Sequence, residues 1–409
     1  MRIVEINTVN GTGSTGKIAV ALYHLAENEN HTPYIAYGRG SSPTDVNGYK
    51  IGNTLDFGVH VLSNFFCGNS GFASKRTTKN FLQWLDTIRP DILHLHNLHG
   101  FYLHVGLLFD YIKKHNISVV WTLHDCWPFT GQCAYFDYAG CDKWKTQCYT
   151  CPIYRSDYPY SLFKDNSRQN YKNKKEAFTG VSNMIITTPS HWLASLVQDS
   201  YLKEYPVKVI HNGIDLNLFK LIDTPVLDEK FKDKKILLGV ANVWDRRKGL
   251  DYFLKLAEMM EDDFHIVLIG VSKKQQEMIQ KKYPDKTTAI TRTSNQKELV
   301  SWYNHAYAFI NPTLEDNFPT TNLEALACGT PVITFNTGGS PESLTEECVI
   351  VVEKGNVEEL KNAILSLEMN THITRENCRK QAMKFDKDVL FREYIGLYKE
   401  INRVGEKIK

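Results

Sequence analysis

Short apolar runs of strand length recur along this chain in alternation with stretches of helical spacing, and that alternation limits the fold more than any other feature. In the first half, runs at residues 2–9, 32–37, 91–96, 118–124, 184–189 and 207–212 read as strands, with helical patterns starting near Gly16, Leu103 and His191. Strand, helix and strand in succession need a crossover, so the sheet must be parallel. The second half repeats the rhythm with strands at 235–240, 265–270, 288–293, 308–312, 331–335 and 348–352, and its last two helical patterns lie near 374–384 and 387–400. A chain of 409 residues is too long for one core, so two α/β domains of about 200 residues each are expected. The expected division is a first domain over 1–215, a charged irregular connection over 216–234, a second domain over 235–385 and a terminal helix over 386–409.

Parallel sheets of this kind bind ligands beyond the carboxyl ends of their strands. The stretch 312–342 reads as strand end, polar loop, short helix, buried strand and glycine turn. Thr320, Thr321 and Asn322 offer backbone N–H groups at the helix start, where the helix dipole favours phosphate. Glu324 would repel a phosphate there, so it suits the hydroxyls of a ribose, and the pair suggests a nucleotide ligand. Arg246, Arg247 and Lys248 follow the first strand of the same half and can neutralise a departing diphosphate. On that account catalysis requires no cofactor, although both arginines also fit a solvated charge cluster.

In the first half, Gly11, Gly13, Gly16 and Lys17 spell the opening seven positions of a P-loop, but Ile18 stands where Mg²⁺ needs a hydroxyl. An NTPase reading therefore lacks its metal ligand. The loop reads better as backbone that approaches a ligand closely. His94 and His96 share one strand face, and His124, followed by Asp125, ends another strand. His96, with Asn97 beside it, and His124 suit a site at the strand ends; hydrogen-bonded core histidines are the alternative, strongest for His94 and His96.

Asp316, seven intervening residues, Glu324-Ala-Leu-Ala-Cys-Gly-Thr-Pro-Val, then Gly338, Gly339 and Glu342 resemble the donor signature of the retaining glycosyltransferases of family 4. The resemblance implies the GT-B fold: two Rossmann-like parallel-sheet domains facing across a cleft, with the C-terminal helix crossing back to the first. It further implies a UDP- or GDP-sugar donor in the second domain, with Glu324 at the ribose, Lys248 and the helix start at the diphosphate, and Asp316 or Glu315 at the sugar. His124 and the Gly11–Gly16 loop would face the acceptor. Asp316 and Glu324 would then be binding groups and not a glycosidase acid/base pair. This chain departs from the pattern where the family has an early arginine, which falls on Asn242 or Val243. A sugar-nucleotide-binding scaffold without turnover is the second reading.

Five cysteines crowd into 126–151, of which Cys133, Cys141, Cys148 and Cys151 have spacings open to one structural zinc or to free thiols. Residues 125–133 resemble a subgroup of family 4 enzymes of colanic acid and capsule synthesis, which implies a glycan or lipid-linked acceptor. Tyr154, Tyr158, Tyr160 and Phe163 precede Lys164, Arg168, Lys172, Lys174 and Lys175, a grouping that suits either an anionic membrane surface or an ordinary solvated helix. A net charge of +2 gives no general attraction for nucleic acid. With no signal-like or membrane-spanning run, the expected location is the cytoplasm, at the inner face of the membrane if the patch is used.

Overall fold

The computed structural model describes residues 1–223 and 231–408, so part of the expected connection at 216–234 lies outside the described residues. The chain forms two compact units, one of Met1–Ile210 with Phe391–Lys409 and one of His211–Leu390.

The first unit carries a parallel sheet of β1 (Arg2–Val9), β2 (Thr32–Arg39), β3 (Gly48–Lys50), β4 (Ile92–Leu95), β5 (Ser118–Thr122), β6 (Met184–Thr188) and β7 (Val207–Val209). Their spatial order is β3-β2-β1-β4-β5-β6-β7. Every residue of β4 and β5 is buried, as expected of central parallel strands covered on both faces. Six helices belong to the crossovers: α1 (Gly13–Asn28), α2 (Thr54–Cys67), α3 (Lys75–Ile88), α4 (Val105–His115), α5 (Ser167–Phe178) and α6 (His191–Asp199). β3, α2 and α3 fill a stretch that the apolar pattern left blank. A capping box on Asn53 starts α2 and left-handed Gly68 ends it, but Leu55, Val59, Leu62 and Phe66 lie on its exposed side, so the helix lacks the usual inward apolar stripe.

The second unit holds β8 (Lys235–Val240), β9 (Phe264–Ile269), β10 (Thr287–Ile290), β11 (Ala308–Asn311), β12 (Val332–Phe335) and β13 (Val349–Val352), in the order β10-β9-β8-β11-β12-β13. Its helices are α7 (Leu250–Met259), α8 (Lys273–Lys282), α9 (Gln296–His305), α10 (Thr320–Ala327), α11 (Val357–Ser366), α12 (Arg375–Met383) and α13 (Lys387–Leu390). Residues 216–223 are packed onto this unit: Phe219 is buried, and the Arg379 guanidinium donates to the carbonyls of Leu216 and Phe219.

The last helix, α14 (Arg392–Ile408), belongs to the first unit. Tyr398 and Tyr394 are buried there, the former hydrogen-bonded to His94 at 2.6 Å and the latter accepting from Thr122 at 3.2 Å. In each sheet the strand order reverses direction once, between β1 and β4 in the first unit and between β8 and β11 in the second. Loops leaving the carboxyl ends of two such strands diverge to opposite faces and open a crevice.

Candidate functional site

At the second switch point, the loops after β8, β11 and β12 lock into one another. Gly249 lies at φ +78°, and a β-carbon on it would come within 2.1 Å of the Pro312 carbonyl oxygen. Leu314 donates its N–H to the Arg247 carbonyl at 2.7 Å. Gly338, at φ +56°, approaches the Asp316 carbonyl so closely that a β-carbon would sit 2.0 Å away, and Gly339 donates its N–H to that same oxygen at 3.0 Å. The glycines are thus needed for backbone contact.

This lock sets the charges. Lys248 donates from Nζ to Asp316 at 2.5 Å, while Arg247 donates to the Glu315 carbonyl at 2.6 Å and stands 3.6 Å from the Asp316 carboxylate. Burial pushes the Asp316 carboxyl upward, but Lys248 and Arg247 outweigh it and hold the group below its usual range, so it stays ionised. Glu315 is fully buried, and Glu324 accepts from the Tyr303 hydroxyl at 2.8 Å. Lys248, Arg247, Asp316, Gly338 and Gly339 are therefore brought together, with Glu324 one turn into α10.

Two expectations change here. Arg246 is exposed, outside the interlock that holds Arg247. Asn322 does not offer a free amide, because its N–H is donated to the Pro319 carbonyl at 3.1 Å and its buried side chain bridges Asn311 and Ser340. It braces the start of α10, leaving Thr320 and Thr321 as the half-buried first residues of the helix.

At the first switch point the groups are polar but buried. His96 follows β4 and hydrogen-bonds through Nε2 to Glu5 on β1 at 3.1 Å and through Nδ1 to His124 Nε2 at 3.0 Å. β5 ends at Thr122, so His124 sits in the loop beyond the strand and not inside it. His94 is fixed between Tyr398 and Thr122 Oγ1, at 2.6 and 2.7 Å, which makes it a core histidine. Desolvation lowers the pKa of His124 to about 4 and of His94 to about 3, and it raises that of Glu5 well above normal. At neutral pH the histidines are uncharged.

Asp125 accepts from Trp127 N–H at 2.9 Å and pairs with His99 at 2.7 Å. Burial opposes its charge, yet His99 and that N–H keep its pKa below normal. Glu5 and His99 were not recognised in the sequence, although an acid set between Ile3-Val4 and Ile6 in β1 is a usable signal. Gly11 and Gly13, both at positive φ, form the turn into α1; Gly16 is buried within that helix and Lys17 is exposed. The Asn97 carbonyl accepts from Thr8 and Tyr102 at 3.0 and 2.8 Å. Among the described residues, Glu5, His94 and His96 have ligand-type atoms within 4.8 Å of one another, but both ring nitrogens of each histidine are already in hydrogen bonds.

Lys174 does not belong to a surface patch. It is fully buried, donating to the carbonyls of Trp127 and Thr130 at 2.7 and 3.1 Å, because residues 171, 174, 177 and 178 form the inward face of α5. Tyr158 hydrogen-bonds to His99 at 3.1 Å. Tyr158, Tyr160 and Phe163 of the expected patch are exposed, and on α2 Leu55, Val59, Leu62 and Phe66 are exposed too, with Phe163 stacked on Phe66 at 5.1 Å. Among the described residues no helix is long and apolar enough to cross a membrane.

Comparison with known proteins matches residues 22–218 to the model described as Glycosyltransferase Family 4 and residues 227–385 to that described as Glycosyl transferases group 1. The chain is 24% identical to the colanic acid biosynthesis protein WcaC of Escherichia coli (strain K12), over 98% of this chain and 100% of that one. It is also 24% identical to the N,N'-diacetylbacillosaminyl-diphospho-undecaprenol alpha-1,3-N-acetylgalactosaminyltransferase of Campylobacter jejuni, over 51% of this chain and 58% of that one. In fold it is similar to Anabaena Alr3699/HepE in complex with UDP-glucose, with a TM-score of 0.66 at 12% identity, covering 98% and 100% of the two chains.

Proposed function

We propose, from the premise that this chain belongs to the family 4 glycosyltransferases of GT-B fold, that it transfers a sugar with retention from a UDP- or GDP-sugar to a hydroxyl of a glycan or lipid-linked glycan in cell-surface polysaccharide synthesis. The observation that carries the donor half is the Lys248–Asp316–Arg247 cluster at the switch point of the second sheet. A fixed cation beside a helix start suits a diphosphate, and the α10 amides add to it. Glu324, held by Tyr303, is placed to accept hydroxyls of a ribose. Asp316 is the acid assigned to the donor sugar, because its carboxylate stays ionised next to Lys248, which a bound diphosphate would share.

The transfer then runs without a metal. Lys248, Arg247 and the start of α10 stabilise charge on the diphosphate as the bond from sugar to phosphate oxygen breaks, and the acceptor hydroxyl attacks the oxocarbenium-like sugar from the same face, giving its proton to the departing phosphate oxygen. The neutral imidazole of His124, held by the His96–Glu5 chain, can hydrogen-bond acceptor hydroxyls without adding a charge of its own. A lipid-linked acceptor accords with the diphospho-undecaprenol in the name of the Campylobacter relative. It also accords with the exposed stripe of α2 and Phe163, which lies next in sequence to exposed Lys164 and Arg168 and suits an anionic bilayer. The protein would work in the cytoplasm, peripheral to the inner face of the membrane.

Incubation with a panel of UDP- and GDP-sugars tests the donor half: binding of one sugar nucleotide with transfer or slow hydrolysis is expected, and no binding across the panel would refute it. Binding without turnover under any acceptor would favour the scaffold reading. For the membrane half, vesicles containing anionic lipid should retain the protein, and Leu62→Ser/Phe66→Ser/Phe163→Ser should release it; equal retention by neutral vesicles would remove the electrostatic part.

A further inference from the structure

Residues 126–151 hold a feature that sugar transfer does not explain. Cys133, Cys141, Cys148 and Cys151 line one pocket of about 10 Å³, together with Phe136, Trp144 and other side chains. That volume is on the order of a single small ion or water. All four cysteines are free thiols, with Cys133 and Cys148 buried and Cys141 and Cys151 partly so. Besides the four sulfurs the lining carries Gln132, Lys143, Tyr149 and Ser167, so the pocket offers polar atoms to a water and four sulfurs to a soft cation.

The sulfurs are already arranged as acceptors. Gly131 donates its N–H to Cys148 Sγ at 3.1 Å, and the thiols of Cys133 and Cys151 hydrogen-bond to each other. A backbone N–H aimed at sulfur favours the thiolate form that ligates a metal.

Lys174 supplies an independent observation. Its ammonium is fully buried, capped by two carbonyls and set 3.6 Å from the centre of the Trp127 ring. Among the described residues no carboxylate lies within ion-pairing distance of it, and desolvation works against its charge. The groups that favour that charge are Cys133, Cys148 and Asp125. A buried cation lacking a close anion is costly, and thiols supply none until they ionise.

We propose that Cys133, Cys141, Cys148 and Cys151 bind one structural Zn²⁺ as a tetrathiolate, with Lys174 as its buried counter-charge. Ligation turns four thiols into four thiolates and releases four protons to solvent. The centre then carries two negative charges, one of which Lys174 offsets. Among the described residues no three of these sulfurs lie within 4.8 Å of one another, so ligation must draw the outer thiols, those of the partly exposed Cys141 and Cys151, inward. The bound metal would pin the lobe that follows His124 and Asp125, and the proposal stands apart from the identity of the sugar or acceptor.

Metal analysis of the full-length protein, purified from zinc-supplemented medium without chelator, should find about one zinc per chain. In Cys148→Ser/Cys151→Ser protein that content should fall at least tenfold. Because the variant could fail to fold, the wild type should also be prepared with Co²⁺, where four sulfur ligands give intense sulfur-to-metal charge-transfer and tetrahedral ligand-field bands. Zinc far below one per chain with all four thiols titrating freely would overturn the proposal. So would zinc that survives the double substitution, or a cobalt spectrum without sulfur charge transfer, since either places the metal elsewhere, for instance at Glu5, His94 and His96.

Discussion

At the carboxyl edge of the second sheet, Asp316 stays ionised with Lys248 and Arg247 each within 4 Å of its carboxylate, whereas at the matching edge of the first sheet burial strips charge from Glu5, His94, His96 and His124. The same topology therefore presents two different solvents. A charged edge suits a diphosphate that must leave, and an edge of uncharged histidines, with Asp125 paired to His99 beside them, suits a hydroxyl that must approach. If this difference is the division of labour, substitutions at the two edges should fail in different ways.

The largest effect is expected from Lys248→Ala. It removes the cation nearest the proposed diphosphate and leaves buried Asp316 with only Arg247, so kcat/KM should drop about 10²–10³-fold, with weaker sugar-nucleotide binding. Steady-state kinetics alongside calorimetric titration of the nucleotide would check it; unchanged nucleotide affinity would break the assignment of this edge. His124→Ala should cost about 10²-fold in turnover while nucleotide affinity holds. A parallel loss of affinity would erase the contrast between the edges.

Acid should separate the units. For His60, His94, His96 and His124 burial holds the folded pKa below the unfolded value of 6.5, down to about 4 for His60 and His124 and about 3 for His94. Between those values the unfolded chain binds more protons, so the stability these groups contribute is present above pH 6.5 and lost as pH falls toward 4. Glu5 acts the other way, its raised pKa costing stability as pH rises above 4.5, one group set against four histidines. The lowered pKa of Asp316 keeps its contribution until pH falls through 3.8 and below. Hydrogen exchange at about pH 5 against about pH 7 should therefore show the first sheet loosening before the loops around Asp316. Equal loosening would mean that the histidines are not what distinguishes the two.

Much of this was legible in the sequence, and the misses have physical causes. The strand–helix alternation is a backbone rule, so both sheets could be read from it, as could Gly338 and Lys248 from their motif positions. Helix α2 was overlooked although Leu55, Val59, Leu62 and Phe66 recur at helical spacing; what the sequence cannot carry is that this apolar stripe faces outward. Lys174 was misread because a lysine in a basic run is normally solvated; only the fold shows that residue 174 shares the inward face of α5 with Tyr171 and Phe178. Partnerships between distant residues, such as Glu5 with His96 and Lys248 with Asp316, arise from strand order and leave no local trace.

Two smaller substitutions sharpen the comparison within the charged edge itself. Gly338→Ala puts a β-carbon where the Asp316 carbonyl stands and forces a left-handed backbone, so it should shift Asp316 without removing any charge. An increase in donor KM of roughly tenfold is expected, with pH dependence unchanged. Arg246→Ala provides the lower bound. Its side chain is exposed beside two cations that are built into the loop lock, so the loss should stay within about twofold, the range of a surface charge. If Arg246 instead proved as costly as Lys248, the missing early arginine of this family would have been replaced from within the same loop, and the interlock of Arg247 and Lys248 with residues 314–316 would be scaffolding for it and not the binding edge.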